Sequence, residues 1–133
     1  MLIYCDSGIL IYWLDQVGPF HLRAENRMLA LQVAGDRIAI SDLTRLECRV
    51  GILKRGDVAA LKVFKNFFAR PDVQLVPLSA AAFDRATQLR VDYGFKTPDA
   101  LHLAAAIEAG CDRFLTNDYR LSKCSNIAVE VLP

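Results

Sequence analysis

The sequence has 133 residues, of which 53% are hydrophobic, so it is long enough for one domain with a single core and is not typical of a disordered chain. Its 16 basic and 15 acidic residues give a formal net charge of +1. That balance argues against a protein that coats nucleic acid through charge alone, because such domains usually carry a clear basic excess.

The chain alternates short apolar runs with longer helical patterns. The apolar runs are rich in Ile, Val and Leu and mostly lack alternation, as expected for strands that are covered on both faces. The predicted strands are Leu2–Cys5, Arg37–Ser41, Val73–Pro77, Arg113–Thr116 and Ile127–Leu132. The predicted helices are Ser7–Asp15, Pro19–Ala34, Leu43–Lys54, Val58–Ala69, Ser79–Tyr93 and Pro98–Ala109, the last with Thr97 as its N-cap. This order predicts one α/β domain over residues 1–133, with a mostly parallel sheet of about five strands between two helical layers.

The four cysteines show no C-x-x-C pair or other spacing typical of a zinc site. No secretory leader precedes them, and the longest apolar run, Ile9–Leu14, is far too short to cross a bilayer. We therefore expect reduced thiols and a cytoplasmic protein without a membrane partner, because disulfides would require an oxidising compartment.

Four acidic side chains follow predicted strands or begin predicted helices. Asp6 directly follows the first strand, and Asp118 lies two residues beyond the fourth. Glu47 lies in the first turns of the third helix, and Asp99 is the second residue of the sixth. Functional sites in open α/β sheets form outside the carboxyl ends of the strands, where the chain can bring these acids together.

Clustered carboxylates resist ionisation because like charges raise each other's pKa values. A hard divalent cation offsets this cost, and Mg²⁺ and Mn²⁺ prefer oxygen ligands. Such a site can activate water and stabilise a phosphoryl group during in-line displacement. The pattern therefore predicts a metal site suited to phosphoryl chemistry, with one ion or two.

Each acid also has a structural explanation. Asp6 could cap the following helix, and Asn117-Asp118 is ordinary turn chemistry. Glu47 could close a T-x-x-E capping box, and Asp99 lies where the helix dipole favours an acid. These explanations stay open for each residue singly, but all four would have to hold at the same edge of the sheet.

Four segments resemble the motifs of PIN domains. They are Tyr4–Gly8, with an Asp at a strand end; Ser41–Glu47, with a Glu on the following helix; Thr97–Ala104, with the sequence TPDALHLA; and Phe114–Asp118, with a T-x-D at a strand end. The segments run from the start of the chain nearly to its end, in the order and spacing of the family. The pattern is most similar to the compact PIN toxins of bacterial and archaeal VapBC toxin–antitoxin pairs.

This resemblance implies a three-layer α/β/α domain and a metal-dependent endoribonuclease, the toxin of a type II toxin–antitoxin system. It implies Mg²⁺ or Mn²⁺ as cofactor, RNA as substrate, a cognate antitoxin as partner and a homodimer. It assigns metal binding and catalysis to Asp6, Glu47, Asp99 and Asp118. Thr116 would support the site through its hydroxyl, with Asn117 as a neighbour. Asp42 departs from the family pattern, which commonly has a small polar residue there.

Three arginines, Arg45, Arg49 and Arg120, are candidates for contacts with RNA phosphates, with a solvated helical face as the alternative. For His102, three residues after Asp99, we expect packing or hydrogen bonding instead of metal binding. We expect Cys5 in the core.

The aromatic residues Tyr12, Trp13 and Phe20 fit either a surface patch for a partner or, as we favour, the core.

Other acidic α/β folds fit the sequence poorly. A haloacid-dehalogenase-type phosphatase needs a D-x-D motif, whereas Ser7-Gly8 follows Asp6. A phospho-accepting receiver needs a lysine at the end of the last strand, and Lys123 is badly placed for that role. A PIN-fold RNA-processing nuclease, a nuclease for DNA and a non-catalytic nucleic-acid-binding module remain as alternatives.

Overall fold

A five-stranded, fully parallel sheet forms the centre of the computed structural model, which describes residues 1–14 and 18–132. The strands are β1 (Leu2–Cys5), β2 (Arg37–Ile40), β3 (Val73–Leu75), β4 (Arg113–Thr116) and β5 (Ala128–Val131). Their order is β3-β2-β1-β4-β5, so β1 lies in the middle of the sheet. This arrangement confirms the predicted parallel sheet.

Six α-helices are described, and they cover both faces of the sheet. They are α1 (Ser7–Leu14), α2 (Phe20–Ala34), α3 (Asp42–Arg55), α4 (Val58–Phe68), α5 (Ala80–Tyr93) and α6 (Thr97–Glu108). A 3₁₀ helix, Tyr119–Lys123, follows β4. Within the described ranges, no helix is both long enough and apolar enough to span a lipid bilayer.

Two separate cores explain why the strands are apolar on both faces. Alternation along β1 directs Ile3 and Cys5 into the core shared with α1 to α4, and directs Tyr4 into the core shared with α5 and α6. The Tyr4 ring stacks on Phe114 of β4, with centroids 5.5 Å apart. The sheet is therefore the middle layer of an α/β/α sandwich, and Cys5 lies in the core as predicted.

The aromatic residues near the first connection serve mainly in packing. Tyr12 and Trp13 are partly buried against the α1–α4 core, and Trp13 meets Phe67 edge-on at 5.5 Å. The ring of Phe20, which is at the surface, lies 5.1 Å from that of Tyr12. The predicted end of the first helix at Asp15 lies outside the described residues.

Several predicted boundaries were wrong by one or two residues. β2 ends before Ser41, because Ser41 caps α3 in a capping box with Thr44. β3 ends before Pro77, which has no N–H to donate to the neighbouring strand. α6 begins at Thr97 with Lys96 as its N-cap, so Thr97 is not the cap that the sequence predicted.

The remaining corrections are at element ends, where capping residues and frayed strand ends leave the regular structure. α2 and α5 begin one residue later than predicted, α4 and α6 end one residue earlier, α3 extends one residue at each end, and β5 loses one residue at each end. Helix ends marked by glycine were predicted well. Gly35 after α2 and Gly94 after α5 both adopt left-handed conformations, with φ of 75° and 73°.

Candidate active site

The parallel pairing of β1 with β4 positions the first and last of the predicted acids. Cys5 lies opposite Leu115, and the backbone N–H of Asp6 donates to the Leu115 carbonyl at 2.9 Å. The Thr116 hydroxyl donates to Asp6 Oδ2 at 2.7 Å and accepts from the backbone N–H of Asp118 at 3.1 Å. One buried hydroxyl therefore joins the two strand ends.

Glu47 reaches the same edge of the sheet from α3. Its Oε1 accepts a hydrogen bond from the Ser7 hydroxyl at 2.8 Å and contacts Nε2 of His102. The capping box at the start of α3 is formed by Ser41 and Thr44, so the structural explanation offered for Glu47 was wrong. Its carboxylate instead extends into the cleft between α1, α3 and α6.

His102 is buried and makes hydrogen bonds through both ring nitrogens. Nε2 faces Glu47 and lies 3.3 Å from the Ser7 hydroxyl. Nδ1 lies 2.7 Å from the hydroxyl of Tyr4, which in turn donates to Ser41 at 2.8 Å. A series of hydrogen bonds thus runs from Ser41 through Tyr4 and His102 to Glu47. It fixes the position of the Glu47 carboxylate.

Asp99 differs from the other acids because its carboxylate accepts no hydrogen bond from any residue in 1–14 and 18–132. It lies in the first turn of α6 and is half-buried. Together with Asp6, Glu47 and Asp118 it lines an open cleft of about 500 Å³. The structure therefore brings all four predicted acids to one cleft.

Asn117 also lines the cleft, and its position depends on Gly8. A Cβ atom on Gly8 would lie only 2.8 Å from Asn117 Oδ1, so the loop after β4 packs closely against the start of α1. Ser7 and Gly8 were not singled out from the sequence as site residues. The S-G pair directly after Asp6 is the signal that could have identified them.

The pKa shifts divide the acids into two pairs. Burial chiefly raises the pKa of Asp6, and burial followed by the charges of Asp6 and Asp118 raises the pKa of Asp99. The hydrogen bonds from Arg120 lower the pKa of Asp118. Burial acts to raise the pKa of Glu47, but the hydrogen bond and charge of His102 outweigh it, and the pKa is lowered.

This donor set fits a hard divalent cation. Carboxylate oxygens are the ligands that Mg²⁺ and Mn²⁺ prefer, and Asp99 has a carboxylate without a partner beside two other acids. Within residues 1–14 and 18–132, no group of three or more acidic, histidine or cysteine side chains is positioned to hold a metal ion in the metal-free protein. Arg120 contacts both carboxylate oxygens of Asp118 at 2.6 to 3.2 Å, so it competes with a metal ion for Asp118.

The predicted RNA-contacting arginines do not share one location. Arg45 pairs with the exposed Asp42 at 2.9 Å and lies over the Phe68 ring, away from the acidic cleft. Arg49 donates from Nε to the Arg45 carbonyl at 3.1 Å and does not line the cleft either. Arg120 alone of the three lies beside the acids.

The comparisons with known proteins agree with this architecture. A family model described as "PIN domain" matches residues 3–126. VapBC2 from Rickettsia felis, solved bound to a DNA fragment from its promoter, has a TM-score of 0.82 at 19% identity and 100% coverage of both chains. A toxin–antitoxin complex from Klebsiella pneumoniae gives 0.74 at 23% identity, with 98% coverage of each chain.

VapC20 from Mycobacterium tuberculosis, described as a Sarcin-Ricin loop cleaving toxin, gives a TM-score of 0.77 at 18% identity and covers 98% of this chain and 99% of its own. A comparison with curated protein sequences gives no significant match. At these identities, the similarity to the solved structures establishes the fold.

Replacing Asp99 by Asn is expected to stabilise the metal-free protein at neutral pH. The raised pKa means that the folded state disfavours ionised Asp99, and the amide removes its repulsion with Asp6 and Asp118. Thermal melting in chelator should show a higher midpoint for Asp99→Asn, and Mn²⁺ should raise that midpoint less than in wild type. The control is Asp84→Asn on the exposed face of α5. A lower metal-free midpoint with an undiminished Mn²⁺ effect would contradict this account.

Replacing Arg120 by Gln is expected to strengthen Mn²⁺ binding several-fold. The substitution frees Asp118 from its ion pair and removes a positive charge from the edge of the cleft. Isothermal titration calorimetry would measure the affinity, with Arg85→Gln as the control because Arg85 forms an exposed ion pair with Glu108 elsewhere. Equal or weaker Mn²⁺ binding by Arg120→Gln would exclude competition between Arg120 and the metal for Asp118.

Proposed function

The chain belongs to the PIN-domain family, whose members are nucleases, and from this we propose that it is a metal-dependent endoribonuclease that serves as the toxin of a type II toxin–antitoxin pair. The observation that carries the proposal is the convergence of Asp6, Glu47, Asp99 and Asp118 on one cleft. These acids come from four separate segments of the chain. Each segment resembles one of the sequence motifs of PIN domains. A purely structural role for all four would leave Asp99 without a partner.

The aspartates Asp6, Asp99 and Asp118 would hold Mg²⁺ or Mn²⁺, with Thr116 fixing the orientation of Asp6. When bound, such an ion lowers the pKa of a water molecule and stabilises charge on the phosphoryl group. Glu47, held in place by Ser7 and His102, would orient the attacking water and accept its proton.

Cleavage of a labelled mixed-sequence RNA pool tests the activity. Purified, partner-free protein should cut RNA with Mg²⁺ or Mn²⁺ and not with chelator. Asp99→Asn should lower the rate by at least about 100-fold, since it removes a charged ligand from the site. The exposed Asp84→Asn variant serves as the matched control and should cut at the wild-type rate.

The outcomes of this assay separate the alternatives. A folded protein that neither cuts RNA nor binds metal would overturn the proposal. Cleavage of a single-stranded DNA pool in place of RNA would retain the metal chemistry and change the substrate. RNA binding with metal bound but without cleavage of any pool would favour the non-catalytic binding module.

An antitoxin would bind where the acids meet an apolar wall. Ile11, Leu46 and Val50 line the cleft, and Leu46 and Val50 are 54% and 44% exposed. A segment with apolar side chains and one basic side chain would cover this wall and pair with the acids. The similarity to toxin–antitoxin complexes supports a partner of this kind, and the proposal includes a homodimer that acts in the cytoplasm.

Replacing Leu46 by Asp is expected to abolish pairing with the cognate antitoxin. The new charge would be buried against apolar side chains of the partner without a counterion. Co-purification after co-expression measures the pairing, and the control is Leu53→Asp, seven residues along the same helix, 60% exposed and outside the cleft. Retained pairing by Leu46→Asp, or equal loss in both variants, would count against docking in the cleft.

A further inference from the structure

A second, narrower groove opens directly beside the acidic cleft. It has a volume of about 140 Å³ and lies between the α5–α6 connection and the 3₁₀ helix. Its charged lining consists of Lys96, Asp99, Arg120 and Lys123. Asp99 lines both the groove and the cleft, so the two spaces adjoin each other.

The walls of this groove are fixed to each other by hydrogen bonds. The Tyr93 hydroxyl accepts from the backbone N–H of Ser125 at 3.2 Å and donates to Asn126 Oδ1 at 3.2 Å, which joins the end of α5 to the loop after the 3₁₀ helix. Arg90 Nε donates to the Phe95 carbonyl at 3.0 Å and holds the α5–α6 connection. The groove is therefore formed before any ligand binds.

Its charge is opposite to that of the cleft. Lys96 and Lys123 form no salt bridge with any residue in 1–14 and 18–132. Lys96 is close enough to the acids that its charge contributes to the lowered pKa of Asp118, behind the hydrogen bonds from Arg120. The acids of the metal-free cleft repel phosphate, whereas the lysines of this groove attract it. A strand that spans both spaces would therefore be held by its phosphates in the groove.

The remaining lining of the groove consists of Tyr93, Gly94, Phe95 and Leu121, of which Phe95 and Leu121 are buried. The rings of Tyr93 and Phe95 stack with centroids 5.1 Å apart and an interplanar angle of 19°. Grooves that carry single-stranded nucleic acid combine cations along the backbone with exposed aromatic rings, and here Tyr93 is the partly exposed ring.

We propose that this groove holds the sugar–phosphate backbone of single-stranded RNA on one side of the cleaved bond, with Lys96 and Lys123 as its phosphate-binding side chains. The inference rests on the proposed function, because it takes the RNA that enters the acidic cleft as its occupant. Arg120 lines the groove and pairs with Asp118 of the cleft, so it would be a third cation for the strand if a metal ion held Asp118 instead.

The test is RNA binding in chelator, where no metal-dependent cleavage occurs. Lys96→Gln with Lys123→Gln is compared with Lys54→Gln with Lys62→Gln, which removes the same charge from exposed positions of α3 and α4. Fluorescence anisotropy of a labelled single-stranded RNA would be measured over a range of salt concentrations. Thermal melting would verify that both double variants remain folded.

Each phosphate contact to a single strand contributes about 0.7 to the slope of log affinity against log salt, so losing two contacts should lower the slope by about 1.4. We expect the groove variant to show this change and at least about a tenfold loss of affinity at low salt, beyond any loss in the control. Equal slopes and affinities in the two double variants would overturn the groove, as would a wild-type protein that binds no RNA without metal. Metal-dependent cleavage by wild type is scored separately, so the groove can fail while the nuclease function stands.

Discussion

The buried carboxylate of Asp6 at the end of the central strand is the feature on which the site depends. Only 9% of this residue is exposed, and burial raises its pKa. A carboxylate in such a place requires hydrogen bonds, and it receives them from the Thr116 hydroxyl and the backbone N–H of Ser7. The Thr116 hydroxyl is available because β4 lies beside β1 in the sheet, and Ser7 is the next residue along the chain.

The surrounding acids repel Asp6 and one another, and two contacts in the metal-free protein offset part of that repulsion. Arg120 holds Asp118, and His102 contacts Glu47. Asp99 receives no such partner within the described ranges and remains repelled by its neighbours. A cluster of acids that repel one another binds a cation more strongly than a cluster whose acids are already paired. The cation removes the repulsion that remains in the folded protein. Stability and function are therefore opposed at this edge of the sheet.

Much of the fold and most of the acidic site could be predicted because they depend on local patterns. Apolar runs at strand length, the glycines Gly35 and Gly94, and acids at strand ends all act within a few residues of chain. Side-chain partners across the fold could not be predicted in this way. The sequence suggested a capping box between Thr44 and Glu47, whereas Thr44 forms it with Ser41. Arg45 was a candidate for RNA contact near the acids, whereas it pairs with Asp42 outside the cleft.

The central claim is that the cleft binds a divalent metal through Asp6, Asp99 and Asp118. Anomalous X-ray diffraction from crystals soaked in Mn²⁺ tests it most directly, since the signal locates the ion without reference to activity. We expect an anomalous peak bounded by these three carboxylates, about 2.0–2.1 Å from its oxygen ligands as for Mg²⁺ sites, with the Arg120 side chain moved away from Asp118. A fully occupied Mn²⁺ site elsewhere, with the cleft empty and Arg120 still paired, would contradict the account.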